Sequence, residues 1–165
     1  MTYSMVSGNG QHQSSLYPSS TKFDKENGVG YTLSSCSVDE SVKIYKNSFG
    51  VEASQLIMGA AFYGIVQTRD SLTGTWKYSK SIAYTNIKQS YLNSSNYDYF
   101  YDTNCQVPYL LSKDRLTFVS YDDPTSIKAK CEYIKTKGCA GIMYWQNGQD
   151  TTGDLVAAIK EGLSK

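Results

Sequence analysis

Three aromatic side chains sit where chemistry could be done. Trp145 closes the apolar run Ala140-Gly141-Ile142-Met143-Tyr144-Trp145 and is followed by Gln146. Tyr63 closes Leu56-Ile57-Met58-Gly59-Ala60-Ala61-Phe62-Tyr63, and Tyr3 closes the short Met1-Thr2-Tyr3. A flat apolar ring with an N–H or O–H at its rim suits stacking on a sugar and hydrogen bonding to it. Fifteen tyrosines among 165 residues, against three prolines, spread that chemistry along the chain. Tyrosine also favours strands, so composition by itself leaves a structural reading open. Charged candidates are fewer. Asp123 followed by Pro124 reads as a helix cap and first-turn pair, and Asp122 as a turn residue. Cys36, Cys105, Cys131 and Cys139 show no CxxC spacing, and the single His12 does not complete a metal site. Ordinary thiols are expected, with one disulfide compatible with a secreted parent. No metal or cofactor is expected.

These side chains need elements to position them. The runs 56–63 and 140–145 read as buried strands, and Met1-Thr2-Tyr3 as the end of a third. Parallel strands that each end in an aromatic describe the mouth of a (β/α)8 barrel, where active sites are built. A whole barrel takes roughly 250 residues, so this chain is expected to supply about three of the eight strands. Ser37-Val38-Asp39-Glu40 opens a helix with Val38, Val42, Tyr45 and Phe49 on one stripe and a stop at Gly50. Asp123-Pro124 opens another, with Ile127, Cys131 and Ile134 on its stripe and an end at Lys137-Gly138. A last helix, capped near Asp150 or Thr151, buries Leu155, Ala158, Ile159 and Leu163. Residues 5–36 are rich in Ser, Gly, Asn and Gln and read as a long polar loop. Residues 64–112 lose Val and Ile and gain Tyr, Ser and Asn, which suggests a small α+β insertion. The barrel pattern resumes at Thr117-Phe118-Val119-Ser120-Tyr121. The expected fold class is therefore α/β: the C-terminal part of a TIM barrel over residues 1–67 and 115–165, with an insertion at 68–114. A net charge of +1 gives no reason to expect a nucleic acid or a membrane surface as partner.

In this order the motifs resemble glycoside hydrolase family 18, the chitinases and chitinase-like lectins. Met1-Thr2-Tyr3 is similar to that family's Met-x-Tyr-Asp strand, and Leu56 to Gly64 to its next barrel strand. Gly74-Thr75-Trp76, Tyr84-Thr85-Asn86-Ile87 and Tyr101-Asp102 through Val107-Pro108-Tyr109 resemble the chitinase insertion domain. Phe118-Val119-Ser120-Tyr121-Asp122-Asp123 with Ser126-Ile127 matches the lead into the last repeat. Gly141-Ile142-Met143-Tyr144-Trp145 resembles the final strand with its subsite tryptophan.

The resemblance implies hydrolysis of β-1,4-linked N-acetylglucosamine, with chitin or its oligosaccharides as partner. In this route a glutamic acid protonates the leaving oxygen and the substrate's own N-acetyl group attacks the anomeric carbon. The glutamate's Asp-x-x-Asp-x-Asp-x-Glu run does not occur in these 165 residues. It is expected in the missing N-terminal half of the barrel, a further candidate partner, and the chain alone is expected to be inactive. By the same resemblance Tyr3 hydrogen-bonds the acetamido group and Trp145 forms the floor under the sugar. Tyr63 lines the cleft, and Gln146 is a neutral variant of an acidic position. Ser4 stands where Asp is usual, which weakens the case for activity and favours a non-catalytic lectin as the alternative. Asp102 and Trp76 fall in the cleft wall, with packing the preferred role for Trp76. Arg69 is a weaker match to an arginine that follows this strand.

Overall fold

The computed structural model describes residues 2–3, 8–33 and 36–164. Helices start and stop where local chemistry dictates. Helix α1 (Val38–Phe49) is capped by the Ser37 side chain, which accepts from the Glu40 N–H at 3.3 Å, and ends at Gly50 in the left-handed region. Helix α3 (Pro124–Lys137) has Asp123 as N-cap, accepting from the Ser126 N–H at 2.8 Å, while the Ser126 hydroxyl accepts from the Asp123 N–H at 3.0 Å. Such a cap contributes about 1 kcal/mol. Helix α4 (Asp154–Leu163) starts later than expected, after Gly153. Asp150 still serves it, since its carboxylate accepts from the Gly153 N–H at 3.0 Å and the Leu155 N–H at 2.8 Å.

Strands β1 (Ile57–Ala61) and β7 (Gly141–Trp145) form a parallel pair, from Ile57 opposite Gly141 to Ala61 opposite Trp145. Leu16, Val38, Met58, Tyr133 and Ile134 make a core beneath it, and Leu155 and Ala158 tie α4 to a second. Gly162 lets α4 approach α3, because a Cβ there would lie 2.6 Å from that of Cys131.

The larger sheet is antiparallel, in the order β3-β2-β6-β5-β4. It comprises β2 (Tyr63–Arg69), β3 (Trp76–Ala83), β4 (Tyr97–Asp102), β5 (Val107–Ser112) and β6 (Thr117–Ser120), with the short helix α2 (Tyr84–Ile87) between β3 and β4. Val29, Trp76, Tyr109, Leu111 and Phe118 pack its outer part. Ala60 and Phe62 share a core with Val66, Leu110, Val119 and Tyr121, so the two sheets are continuous inside.

Five sequence expectations change. Thr2 and Tyr3 join no strand. The run 56–63 breaks at Phe62, so Tyr63 begins the antiparallel sheet, which reaches beyond 68–114 on both sides. The run at 117 joins that sheet rather than the parallel pair, because an apolar run encodes burial but not its partner. β7 is not buried: Met143, Tyr144 and Trp145 are exposed, since among the described residues β7 pairs on one side only. Tyr45 and Phe49 of the α1 stripe also face solvent. The polar segment 8–33 is irregular, as expected, yet Gln11 through Leu16 are buried.

Candidate functional site

The site begins at Phe62, the single residue between β1 and β2. Its N–H donates to the Trp145 carbonyl at 2.8 Å, and its carbonyl accepts from the Tyr84 N–H at 3.0 Å. Its buried ring stacks on Tyr144 with centroids 4.2 Å apart. Phe62 thus fixes the end of β7 to the root of the antiparallel wall. Gly64 is required just beyond it, because a Cβ there would lie 2.8 Å from the Ser120 carbonyl.

Tyr63 follows Phe62 directly. Its ring meets Tyr3 edge-on, with centroids 6.0 Å apart. Its carbonyl accepts from the Gln13 amide, and the Gln13 N–H donates to Ser120 Oγ at 2.9 Å. Tyr3 is 8% exposed, and burial, with Tyr63 beside it, pushes its phenol above the usual tyrosine value. It therefore remains a neutral donor. Trp145 is 53% exposed at the carboxyl end of β7, and Gln146 beyond it is exposed too. An indole this open can take a sugar face; a core tryptophan cannot. The structure thus brings Tyr3 and Tyr63 into contact, and hydrogen-bonds Trp145 to the residue before Tyr63. Ser4 lies outside the described residues.

Asp102 is elsewhere. It is fully buried, with Oδ2 3.0 Å from His12 Nε2 and Oδ1 accepting from the Asn104 and Cys105 N–H groups. A carboxylate with no exposed surface does not line a cleft, so the role expected for Asp102 in substrate binding gives way to an internal one. Trp76 is a packing residue: its indole N–H donates to the Asn27 carbonyl at 3.0 Å, and its ring meets Phe118 edge-on. Arg69 ends β2, about 20 Å from Tyr63 along the strand at ~3.3 Å per residue. It lies over Trp76, beside a polar hollow of about 410 Å³ that Lys22 and Lys25 also line.

Neither paired acid is available. Asp122 holds Lys130 Nζ at 2.6 Å, with both side chains fully buried, and accepts from the hydroxyls of Ser14 and Ser126 at 2.7 Å. Asp123 caps α3 and accepts from the Tyr99 hydroxyl at 2.9 Å; burial raises its carboxyl above the usual range. The reading of both as structural agrees with this geometry. Sequence reasoning missed the inner segment. His12, Gln13 and Ser14 reach partners 50 to 116 residues away. The available signal was a polar stretch with almost no charge, which a solvated loop does not require.

The profile of Glycosyl hydrolases family 18 matches residues 1–150. Chitinase A1 of Niallia circulans is 31% identical over 128 residues, covering 69% of this chain and 18% of that protein. The solved family 18 N-acetylglucosaminidase from Paenibacillus barengoltzii superposes with a TM-score of 0.77 at 30% identity, covering 98% of this chain and 47% of its own. Human YKL-39, described as a pseudo-chitinase with retained chitooligosaccharide binding, shares the fold at a TM-score of 0.73 and 24% identity, covering 93% of this chain and 45% of its own. The chain spans about half the length of these solved structures, and less of the curated relative.

Proposed function

Since the chain belongs to glycosyl hydrolase family 18, we propose that it supplies the sugar-binding end of a chitinase-type glycosidase, acting with a barrel portion that carries the acid. The aromatic grouping carries this reading: Tyr3 against Tyr63, and an open Trp145 hydrogen-bonded through its backbone to the adjoining Phe62. Trp145 stacks on the pyranose and excludes water from one face. Tyr3, held neutral, donates to the N-acetyl oxygen as the acetamido group turns nucleophile, and Tyr63 flanks it. Gln146 hydrogen-bonds a sugar hydroxyl beyond the tryptophan, and Ser4 does so without the charge of an aspartate. Protonation of the leaving oxygen requires an acid of raised pKa placed there. The motif that carries it does not occur in these 165 residues, so the chain alone is inactive.

The test is titration of the chain with the N-acetylglucosamine hexamer, followed by indole fluorescence and by product analysis. Binding without hydrolysis is expected, and Trp145→Ala should weaken binding by about 1–3 kcal/mol, as loss of other aromatic stacking does. No binding, or equal binding by Trp145→Ala, overturns the site; turnover by the chain overturns its inactivity. Ser4 favours a second reading, a chitin-binding lectin. Joining the chain to its barrel partner separates the two, since only the glycosidase then cleaves the hexamer.

A further inference from the structure

We propose that His12, Asp102 and Cys105 form a structural metal site of the zinc type, inside the wall and separate from the aromatic mouth. One ligating atom from each residue lies within 4.8 Å of the other two, and the His12 Nε2 to Asp102 Oδ2 distance is 3.0 Å. All three residues are fully buried. Imidazole nitrogen, carboxylate oxygen and thiolate sulfur are the donors zinc takes, at bond lengths of about 2.0–2.3 Å, and this separation lets them close around one ion. Sequence spacing concealed the set, because His12 lies on the inner segment while Asp102 ends β4 and Cys105 stands in the turn after it.

Charge and hydrogen bonding support the assignment. Asp102 Oδ1 accepts from the Asn104 N–H at 2.8 Å and the Cys105 N–H at 3.1 Å, which fixes the carboxylate with Oδ2 beside His12. A dication with one carboxylate, one thiolate and a neutral imidazole sums to zero, a favourable state for a dry interior. As the sulfur–metal bond forms, the thiol proton leaves to solvent, and the imidazole binds through Nε2 as the tautomer with its one proton on Nδ1, so it stays neutral. His12 Nδ1 is buried without a hydrogen-bond partner, so the ring is held from its Nε2 side alone. The Ser15 and Thr32 hydroxyls, both interacting with the Cys105 thiol, place oxygen atoms beside the sulfur for a further contact. The ligands are sealed, so the ion would bolt the inner segment to the β4–β5 turn rather than activate water, and it would be taken up as the chain folds.

The experiment is metal analysis of the chain expressed with added zinc and dialysed against a weak chelator. About one equivalent per chain is expected. Cys105→Ser and Asp102→Asn should each cut retention about tenfold or more, while Cys36→Ser and Cys139→Ser leave it unchanged. The cobalt-substituted chain should show a thiolate-to-cobalt charge-transfer band that Cys105→Ser abolishes, and zinc should raise the melting temperature of the unaltered chain alone. A chain folded by circular dichroism that retains no zinc overturns the site. So does a cobalt spectrum insensitive to Cys105→Ser. If one variant does not fold, the other carries the same decision.

Discussion

All six residues of β5, an inner strand of the wall, are buried, whereas β7 exposes Met143, Tyr144 and Trp145 in succession. The two strands have similar apolar content. The difference lies in their neighbours: β5 is flanked by β4 and β6 and backed by the inner segment, while among the described residues β7 has β1 alone. A strand's burial is thus a property of what surrounds it. Among the described residues the inner strands of the wall are paired on both sides, and the parallel pair is the part left open.

If the wall is the better-covered region, its anchors should matter most. Lys130→Met leaves Asp122 buried and unpaired, and should cost about 3–5 kcal/mol in urea unfolding. Adding Asp122→Leu should restore much of that; a loss below about 1 kcal/mol for the single variant would show that the inner segment is not held there.

A direct contrast comes next. Phe118→Ala in the wall core should cost about 3–5 kcal/mol. Tyr144→Ala on the open strand, where the ring is 38% exposed, should cost roughly half as much. Equal losses would erase the distinction between the regions.

Alkaline titration examines the wall as a unit. Burial raises the phenols of Tyr84 and Tyr121 above the ordinary tyrosine value of about 10, and nearby carboxylates raise them further. A folded pKa above the unfolded one gives stability that is whole below pH 10 and is lost as pH rises toward the folded value. Each phenol should account for roughly 1.4 kcal/mol per pH unit in that window. Tyr84→Phe should flatten the decline; an unchanged slope in urea-midpoint measurements would remove Tyr84 from this account.

Trp145→Ala should have the smallest effect, within about 0.5 kcal/mol, because the indole is half exposed. A larger loss in thermal melting would mean that Trp145 is part of the core.

Where a signal is local, the sequence was legible. Ser37 with Glu40, Asp123 with Pro124, and Gly50 and Gly138 set helix ends within one turn, because a cap depends on neighbours three or four residues away. The β1 and β7 strands, and Trp145 at the end of the second, were legible from local pattern as well, whereas Tyr63 proved to begin β2 rather than end β1. Pairing was not. Phe118 and Val119 join an antiparallel sheet, and nothing in a four-residue run distinguishes that from a barrel strand. The polar segment misled most: Ser14 and His12 look like loop residues until Asp122, Lys130 and Asp102 are brought to them from far along the chain. Asp102 was expected in the cleft because the resemblance places it in the insertion that forms one wall, and its burial against His12 turns it inward instead.

Phe62 carries the join between the two sheets on one residue, with its amide committed to one side and its carbonyl to the other. Such a join has no slack. A flap needs a few spare residues to swing, and here the next position is a glycine already pressed against the Ser120 backbone. The wall therefore stands at a set angle to the aromatic end of β7, as a fixed jaw rather than a lid.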